Sequence, residues 1–150
     1  MVEKNVMRKT SVLLMILLTI ITYGIYFPIW FLRRQNLFNQ LPVKEKLNSG
    51  AAIFVLIIYC ISVFFIPVKL LTQNASLIDI LNTIDTFISL LGGLIILLLA
   101  FKVRRILNEY CNEHLGMNVP FSRVATFFFT IFYLQYKINR LSVSDKRKEE

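Results

Sequence analysis

The sequence predicts an all-α integral membrane protein built around a central two-helix transmembrane hairpin. Of its 150 residues, 56% are hydrophobic and 17% are charged, and the mean hydropathy is +0.62. A soluble domain this small would leave much of that apolar surface exposed to water. The chain is predicted to form a single membrane domain with four hydrophobic segments, at residues 11–32, 51–68, 84–101 and 124–138.

The two central segments are predicted to cross the bilayer. Residues 51–68 carry no charge, and a helix of this length spans about 27 Å, close to the roughly 30 Å of a hydrocarbon core. Residues 84–101 supply the second helix and contain Gly92 and Gly93. Because small residues let helices approach closely in a membrane, we expect this glycine pair to pack against the segment 51–68.

The first hydrophobic segment allows two interpretations. Its 22 residues are enough to cross the membrane. However, Gly24 and Pro28 lie one helical turn apart, and both weaken a helix. The aromatic side chains of Tyr23, Tyr26 and Trp30 prefer the membrane interface. The segment is therefore either a kinked spanning helix or a re-entrant segment that breaks near Gly24.

The last hydrophobic segment is short for a spanning helix. Its purely apolar part, residues 124–134, would reach only about 16 Å as a helix. A half-membrane or interfacial helix fits this length better than a full span, and a spanning helix is the alternative. The remaining residues, 142–150, are mostly charged and are predicted to form a disordered tail.

The distribution of the 17 Lys and Arg residues favours one topology. If only the central segments cross, 16 of them lie on one side and Lys69 alone lies on the other. If the first segment also crosses, 13 basic residues lie on one side and 4 on the other. If the last segment crosses and the first does not, the numbers are 11 and 6, and if all four segments cross they are 9 and 8. Basic residues accumulate on the cytoplasmic side. The sequence thus predicts a plasma-membrane hairpin with both termini cytoplasmic, and it predicts lipid rather than nucleic acid as the partner of the +8 net charge.

Two aromatic stretches form a recognisable pair of motifs. The first, "TIITYGIYFPIWF" followed by "RRQN", and the second, "IFYLQYKINRL", resemble the prokaryotic integral membrane family called domain of unknown function 4234. The resemblance implies a small multi-helix membrane protein of bacteria or archaea, and it brings no established activity. The embedded motif residues are Thr22, Gly24, Tyr26, Pro28, Trp30, Asn36, Tyr133, Gln135, Tyr136 and Asn139.

Four basic residues beside these motifs are candidate contacts for anionic lipid headgroups: Arg33, Arg34, Lys137 and Arg140. The alternative is that they anchor the helices only through the general preference of Lys and Arg for the cytoplasmic side.

No pattern of residues predicts a catalytic, metal or cofactor site. Cys111 and His114 have a C-x-x-H spacing, but a closed structural zinc site needs four ligands and there is no second pair. Cys60 and Cys111 give no disulfide framework. We therefore expect no enzyme activity and no cofactor.

Two functional hypotheses follow. The first is a non-enzymatic membrane module for interaction or assembly, working as a homo-oligomer or with another membrane protein. The alternative is a subunit of a small oligomeric channel or transporter. In that case a polar path would be lined by Thr19, Thr22, Thr126, Thr130 and Gln135.

Overall fold

The fold is known from a computed structural model that describes residues 9–114, 116 and 120–146, with side chains as far as Leu141. Every regular element in this part of the chain is a helix, which confirms the all-α prediction. The helices are α1 (Val12–Ile21), α2 (Tyr26–Asn39), α3 (Ser49–Leu71), α4 (Ala75–Glu113) and α5 (Arg123–Lys146).

The first hydrophobic segment is two helices that fold back on each other. Helix α1 ends at Ile21 and α2 begins at Tyr26. The Arg34 guanidinium donates a 3.2 Å hydrogen bond to the Thr10 hydroxyl. In one continuous helix, residues 24 positions apart would be separated by about 36 Å. The chain therefore reverses between α1 and α2, and we call these two helices the N-terminal hairpin.

Helices α3 and α4 form the central hairpin. The Lys69 ammonium lies 3.0 Å from the Asp85 carboxylate. The Ser62 hydroxyl also donates to Asp85. Further along, the Tyr59 ring lies so close to Gly92 that a Cβ there would be 2.3 Å from a ring carbon. Gly92 is thus the residue that lets the two helices approach.

Gly93 does not share this role. A Cβ added at Gly93 would meet nothing within 4 Å, so the expectation that both glycines pack against α3 is wrong for this one. Successive residues of an α-helix point about 100° apart, and only one of two adjacent glycines can face a single neighbouring helix.

Helix α4 is longer than the predicted hydrophobic segment at both ends. It has 39 residues, which correspond to about 58 Å. Its last turns pack against the loop between α2 and α3. The Lys44 amide donates to Glu109 at 2.9 Å, and Arg105 pairs with Glu45 at 2.8 Å. These contacts place the end of α4 beside the start of α3.

Helix α5 is sharply bent at Thr130, whose φ of 41° and ψ of −117° are not helical. The Tyr133 hydroxyl accepts a 2.9 Å hydrogen bond from the Ser122 amide, and the Lys137 ammonium lies 5.9 Å from the Phe121 ring. Residues 122 and 133 of a straight helix would be about 16 Å apart, beyond the reach of a tyrosine. The two arms, 123–129 and 131–146, therefore form a C-terminal hairpin.

The end of α5 overlaps the tail that the sequence predicts to be disordered. The helix continues through residues 142–146, because no glycine or proline interrupts the chain after Thr130. Residues 147–150 lie outside the described part of the chain.

The buried core lies at one end of the molecule. It joins α2, the α2–α3 loop, the last turns of α4 and the second arm of α5, with Phe31, Phe38, Ile106, Leu134 and Ile138 among its fully buried side chains. We call this the basic end, because Arg34 stacks on Trp30, Arg105 pairs with Glu45 of the α2–α3 loop, and Lys137 lies near the Phe121 ring.

Candidate functional site

A chain of buried polar side chains connects the two motif segments at the basic end. The Trp30 indole N–H donates to the Gln135 carbonyl oxygen at 3.2 Å, and the Gln135 amide donates to Asn139 Oδ1 at 2.8 Å. Trp30 is 2% exposed and Gln135 is fully buried. Buried polar groups of this kind need partners, because an unpaired one costs about 1–3 kcal/mol. The network therefore fixes the two hairpins relative to each other.

Asn139 extends this network to the beginning of the described chain. Its Oδ1 accepts from the Thr10 amide at 3.2 Å, and its Nδ2 donates to the Thr10 carbonyl at 2.8 Å. One side-chain amide thus pairs with both backbone groups of a residue 129 positions away. This clamp holds the segment before α1 against the C-terminal hairpin.

Arg34 contacts both Trp30 and Thr10, the two ends of this network. Its side chain is 7% exposed and its guanidinium carbon lies 5.3 Å from the centre of the Trp30 ring. The same guanidinium donates to Thr10, as described above. Stacking on an aromatic face and a hydrogen bond together fix the planar guanidinium in one orientation.

These residues form one wall of a cavity of about 500 Å³ between the start of α1 and the face of α2. Tyr26 and Trp30 contribute aromatic surface, and Leu14 and Leu37 contribute aliphatic surface. The polar part of the lining comes from Lys9, Thr10, Ser11, Arg33 and Arg34. The lining therefore combines four aliphatic or aromatic side chains with five polar or charged ones.

The turn of the N-terminal hairpin uses three of the predicted motif residues. The Gly24 amide donates to Thr19 O and the Tyr23 amide donates to Ile20 O, which is the pattern of a Schellman helix end. Tyr23 has a φ of 49° and Gly24 a φ of 88°. The Thr22 hydroxyl donates to Leu18 O at 2.7 Å and accepts from the Tyr26 amide at 3.1 Å. Thr22 therefore joins the end of α1 to the start of α2.

Pro28 lies in the first turn of α2 and is buried. Backbone N–H groups in a first helical turn have no partner within the helix, so the missing donor of proline does no harm there. The clash that proline makes with the carbonyl four residues earlier is avoided because the chain has already turned at Gly24.

The remaining motif residues lie outside the network. The hydroxyl of Tyr133 binds the Ser122 amide, while Asn36 and Tyr136 are exposed. Two of the four basic candidates, Arg33 and Arg34, line the cavity. Lys137 lies instead 5.9 Å from each of the Phe121 and Tyr133 rings, and Arg140 is exposed.

Three of the five side chains suggested for a polar path donate hydrogen bonds to backbone carbonyls four residues earlier. Thr19 donates to Met15 O, Thr22 to Leu18 O and Thr126 to Ser122 O. Gln135 belongs to the buried network. Each of these three threonine hydroxyls therefore already donates its hydrogen to a backbone carbonyl one turn earlier.

Cys111 is buried near the end of α4, and His114, which follows this helix, is exposed. Burial raises the pKa of the Cys111 thiol to about 11, so the thiol is protonated near neutral pH. The His114 ring stacks on Tyr110 with 5.8 Å between centroids. Among residues 9–114, 116 and 120–146, no group of three His, Cys, Asp or Glu side chains is placed to hold a metal ion.

Several residues of this region have no signal in the sequence. Thr10 and Lys9 look like part of a short basic tail, and the contacts of Thr10 with Asn139 and Arg34 bring this segment to the cavity. Tyr59 lies inside an apolar segment, and its packing on both Gly24 and Gly92 is a product of the tertiary fold.

Comparison of the chain with family models, with curated proteins and with solved structures finds no match.

Proposed function

We propose that this chain is an integral membrane protein whose central hairpin crosses the bilayer, and that it works as a non-enzymatic module for interaction or assembly. The observation that carries the membrane assignment is the exposure of the apolar side chains on α3 and α4. Only 11% of the most apolar 18-residue window of α3, and 22% of that of α4, is buried. A core helix of a soluble protein buries its apolar face, whereas a spanning helix turns it to lipid.

The N- and C-terminal hairpins complete the proposed topology as re-entrant segments. The first arm of each exposes large apolar side chains, among them Leu13, Ile20, Phe128 and Phe129. The return of each chain toward the basic end is supported by the Arg34–Thr10 and Tyr133–Ser122 hydrogen bonds. Both hairpins then enter from the cytoplasmic side of the plasma membrane and go back to it, with Lys69 alone on the far side.

Membership of the prokaryotic family named above is part of this proposal. It is supported by the spatial meeting of the two motif segments, since Trp30 of the first binds Gln135 of the second.

The non-enzymatic role is supported by the state of the chain's reactive side chains. The Cys111 thiol is protonated at neutral pH, and His114 is exposed and stacked on Tyr110. Three of the four threonine hydroxyls of the alternative channel hypothesis donate to backbone carbonyls four residues earlier. This favours the assembly module over a channel or transporter subunit.

Accessibility labelling of single cysteines tests the topology. In a Cys60→Ser, Cys111→Ser background, a membrane-impermeant maleimide should label Asn5→Cys, Lys44→Cys and Ser144→Cys from one side of the membrane. Asn74→Cys should react only from the other side. Tyr23→Cys, at the tip of the N-terminal hairpin, should stay unlabelled in intact membranes and react after solubilisation.

Three results would contradict this topology. Labelling of Asn5→Cys from the side of Asn74→Cys means that the N-terminal hairpin crosses the bilayer. Labelling of Ser144→Cys from that side means the same for the C-terminal hairpin. Recovery of the background protein from the soluble fraction removes the membrane assignment altogether.

The assembly role is tested by crosslinking in native membranes, followed by purification in a mild detergent. We expect a stable homo-oligomer or a defined membrane-protein partner. A protein that stays strictly monomeric and free of partners contradicts the role, and reproducible solute-selective flux through liposomes supports the channel alternative.

A further inference from the structure

We infer that this protein is wedge-shaped within the bilayer and accumulates where the cytoplasmic leaflet is convexly curved. This rests on the membrane topology proposed above and adds a function for the two re-entrant hairpins. Three observations carry it: the depth that the short hairpins reach, the level at which burial stops in the central hairpin, and the area that each half of the molecule occupies.

The N-terminal hairpin ends about half-way along the central hairpin. A Cβ built on Gly24, at the tip of the N-terminal hairpin, would lie 3.5 Å from a ring carbon of Tyr59. Tyr59 is the eleventh of the 23 residues of α3, and its ring also packs on Gly92 of α4. The tip therefore lies about 15 Å along α3, which corresponds to the middle of a hydrocarbon core about 30 Å thick.

The C-terminal hairpin ends beside the N-terminal one. The Phe132 ring, two residues after the bend at Thr130, lies 5.7 Å from the Phe27 ring, measured between centroids. Phe27 is the second residue of α2 and follows the turn at Gly24. The tips of the two short hairpins therefore lie side by side, near the level of Tyr59.

Burial in the central hairpin stops at the same level. The buried residues of α3 are Ala52 and Val55, and those of α4 begin at Gly92 and continue to Cys111. The structure describes every residue between Val55 and Gly92, and none of these is buried. Beyond Tyr59, this part of the molecule is therefore formed by α3 and α4 with their side chains turned outward.

The two halves consequently occupy different areas of the two leaflets. Within the described chain, six helical arms share the leaflet on the side of the basic end: α1, α2, both arms of α5 and the adjoining parts of α3 and α4. Only α3 and α4 of the described chain continue into the other leaflet. A helix with its side chains is about 10–12 Å across, so four additional arms take up about 300–450 Å².

This difference in area couples the protein to membrane curvature. The first arms of the short hairpins expose Leu13, Ile20 and Phe128, so they displace acyl chains in one leaflet and leave the other unchanged. A leaflet that is stretched over a convex surface has more room for such an insertion than a flat leaflet. Since the basic end faces the cytoplasm in the proposed topology, the favoured surface is a convex cytoplasmic leaflet.

Membrane tubes pulled from giant vesicles test this preference. The full-length Cys60→Ser, Cys111→Ser protein is reconstituted from detergent into dioleoylphosphatidylcholine, so that molecules insert in both orientations. An impermeant fluorescent maleimide labels Lys44→Cys on molecules whose basic end faces outward, and it labels Asn74→Cys on those of the reverse orientation. In a tube of about 20 nm radius, the Lys44→Cys probe should be enriched about threefold over the flat membrane and the Asn74→Cys probe depleted, because only the outer leaflet is convex.

Two matched substitutions connect this sorting with the C-terminal hairpin. Phe128 and Phe87 are 71% and 73% exposed, and Phe87 lies two residues from Asp85, whose partner Lys69 is near the far end of α3. In the Lys44→Cys protein, Phe128→Lys places a charge deep in the bilayer and should draw the short arm toward the interface, lowering the enrichment about twofold. Phe87→Lys adds the same charge where it reaches the headgroups, and the enrichment should not change.

An even distribution of both probes between tube and vesicle overturns the inference, and so does depletion of the Lys44→Cys probe. An oligomer that joins through the far half of α3 and α4 would fill the narrow side and give such an even distribution. Equal effects of Phe128→Lys and Phe87→Lys would also contradict it. Sorting is measured on molecules already in the bilayer, so its failure leaves the membrane assignment intact, whereas a protein that does not enter the vesicles removes both.

Discussion

The N- and C-terminal hairpins reach similar shapes by different chemistry. In both, a short apolar arm is followed by a residue with positive φ and then by an arm that returns to the basic end. The N-terminal turn has Gly24 and a complete set of local hydrogen bonds. The C-terminal turn has only Thr130, a β-branched residue in a backbone region that favours glycine. One turn is specified locally, and the other is imposed by its surroundings.

The second, returning arms of the two hairpins also share one hydrogen-bonding pattern. Asn39 accepts from the Leu47 amide at 2.6 Å and donates to the Leu47 carbonyl at 2.8 Å. Asn139 makes the same pair of bonds with Thr10. In each hairpin, one asparagine amide binds the two backbone groups of an irregular segment, which satisfies donors and acceptors that no helix could satisfy. Trp30 and Gln135 then join the two hairpins.

The largest effect should come from breaking that junction with Gln135→Leu. The substitution leaves the buried Trp30 indole N–H without its acceptor and removes a donor from Asn139. We expect a loss of about 2–3 kcal/mol in the free energy of unfolding, measured by denaturant titration in mild detergent. Gln40→Leu, at an exposed site after α2, should change it by less than about 0.5 kcal/mol.

A double-mutant cycle sharpens this test. Trp30→Phe and Gln135→Leu each remove one end of the same hydrogen bond, so their combined effect should be smaller than the sum of the single effects, by about 0.5–3 kcal/mol. Strict additivity would show that the two hairpins are not coupled through this bond.

The next largest effect is expected at the locally specified turn. Gly24→Ala forces a residue with a Cβ to adopt a φ of 88°, while the added Cβ would meet Tyr59 at an ordinary 3.5 Å. Backbone strain alone should lower the free energy of unfolding by about 1–2 kcal/mol. Gly93→Ala is the control, because its Cβ meets nothing and a helical alanine is favoured by about 0.5–1 kcal/mol. Equal effects at both glycines would contradict the role of the turn.

The C-terminal turn at Thr130, which its surroundings impose, should be stabilised by a substitution, whereas the N-terminal turn should be destabilised. Thr130→Gly relieves a non-helical conformation that a β-branched residue rarely adopts, and we expect stabilisation of about 1 kcal/mol. Thr126→Gly, in the helical first arm and fully buried, should instead destabilise by more than about 1 kcal/mol. A destabilising Thr130→Gly would mean that the side chain contributes more through packing than the backbone loses through strain.

The contrast between the turn at Gly24 and the bend at Thr130 also explains which parts of the fold the sequence could predict. Gly24 and Pro28 carry a turn signal, so the sequence predicts a break near them as one of two alternatives, and the backbone has this break. Thr130 carries no such signal, and its bend depends on contacts of Tyr133 and Lys137 with residues before α5. Asn36 is the predicted motif residue of α2, yet the residue that makes the same pair of bonds as Asn139 is Asn39, one turn later. Hydropathy predicts the long helices, but side-chain partners that lie far apart in sequence depend on the tertiary fold.

The smallest effect is expected at the Cys111 thiol, which is buried beside the C-terminal hairpin and reports on the opening of that hairpin. Burial raises the pKa of Cys111 from 9.0 to about 11, although the nearby Lys137 lowers it in part. The folded state therefore favours the protonated thiol, so this group's contribution to stability is complete below pH 9 and is lost as the pH rises toward 11. In a Cys60→Ser background, alkylation by iodoacetamide should be very slow at pH 8 and should accelerate toward pH 11. Lys137→Gln removes the cation that favours the thiolate and should shift this rise to higher pH. Rapid alkylation at pH 8 would show that the C-terminal hairpin opens on its own, as expected for a turn held only by its surroundings.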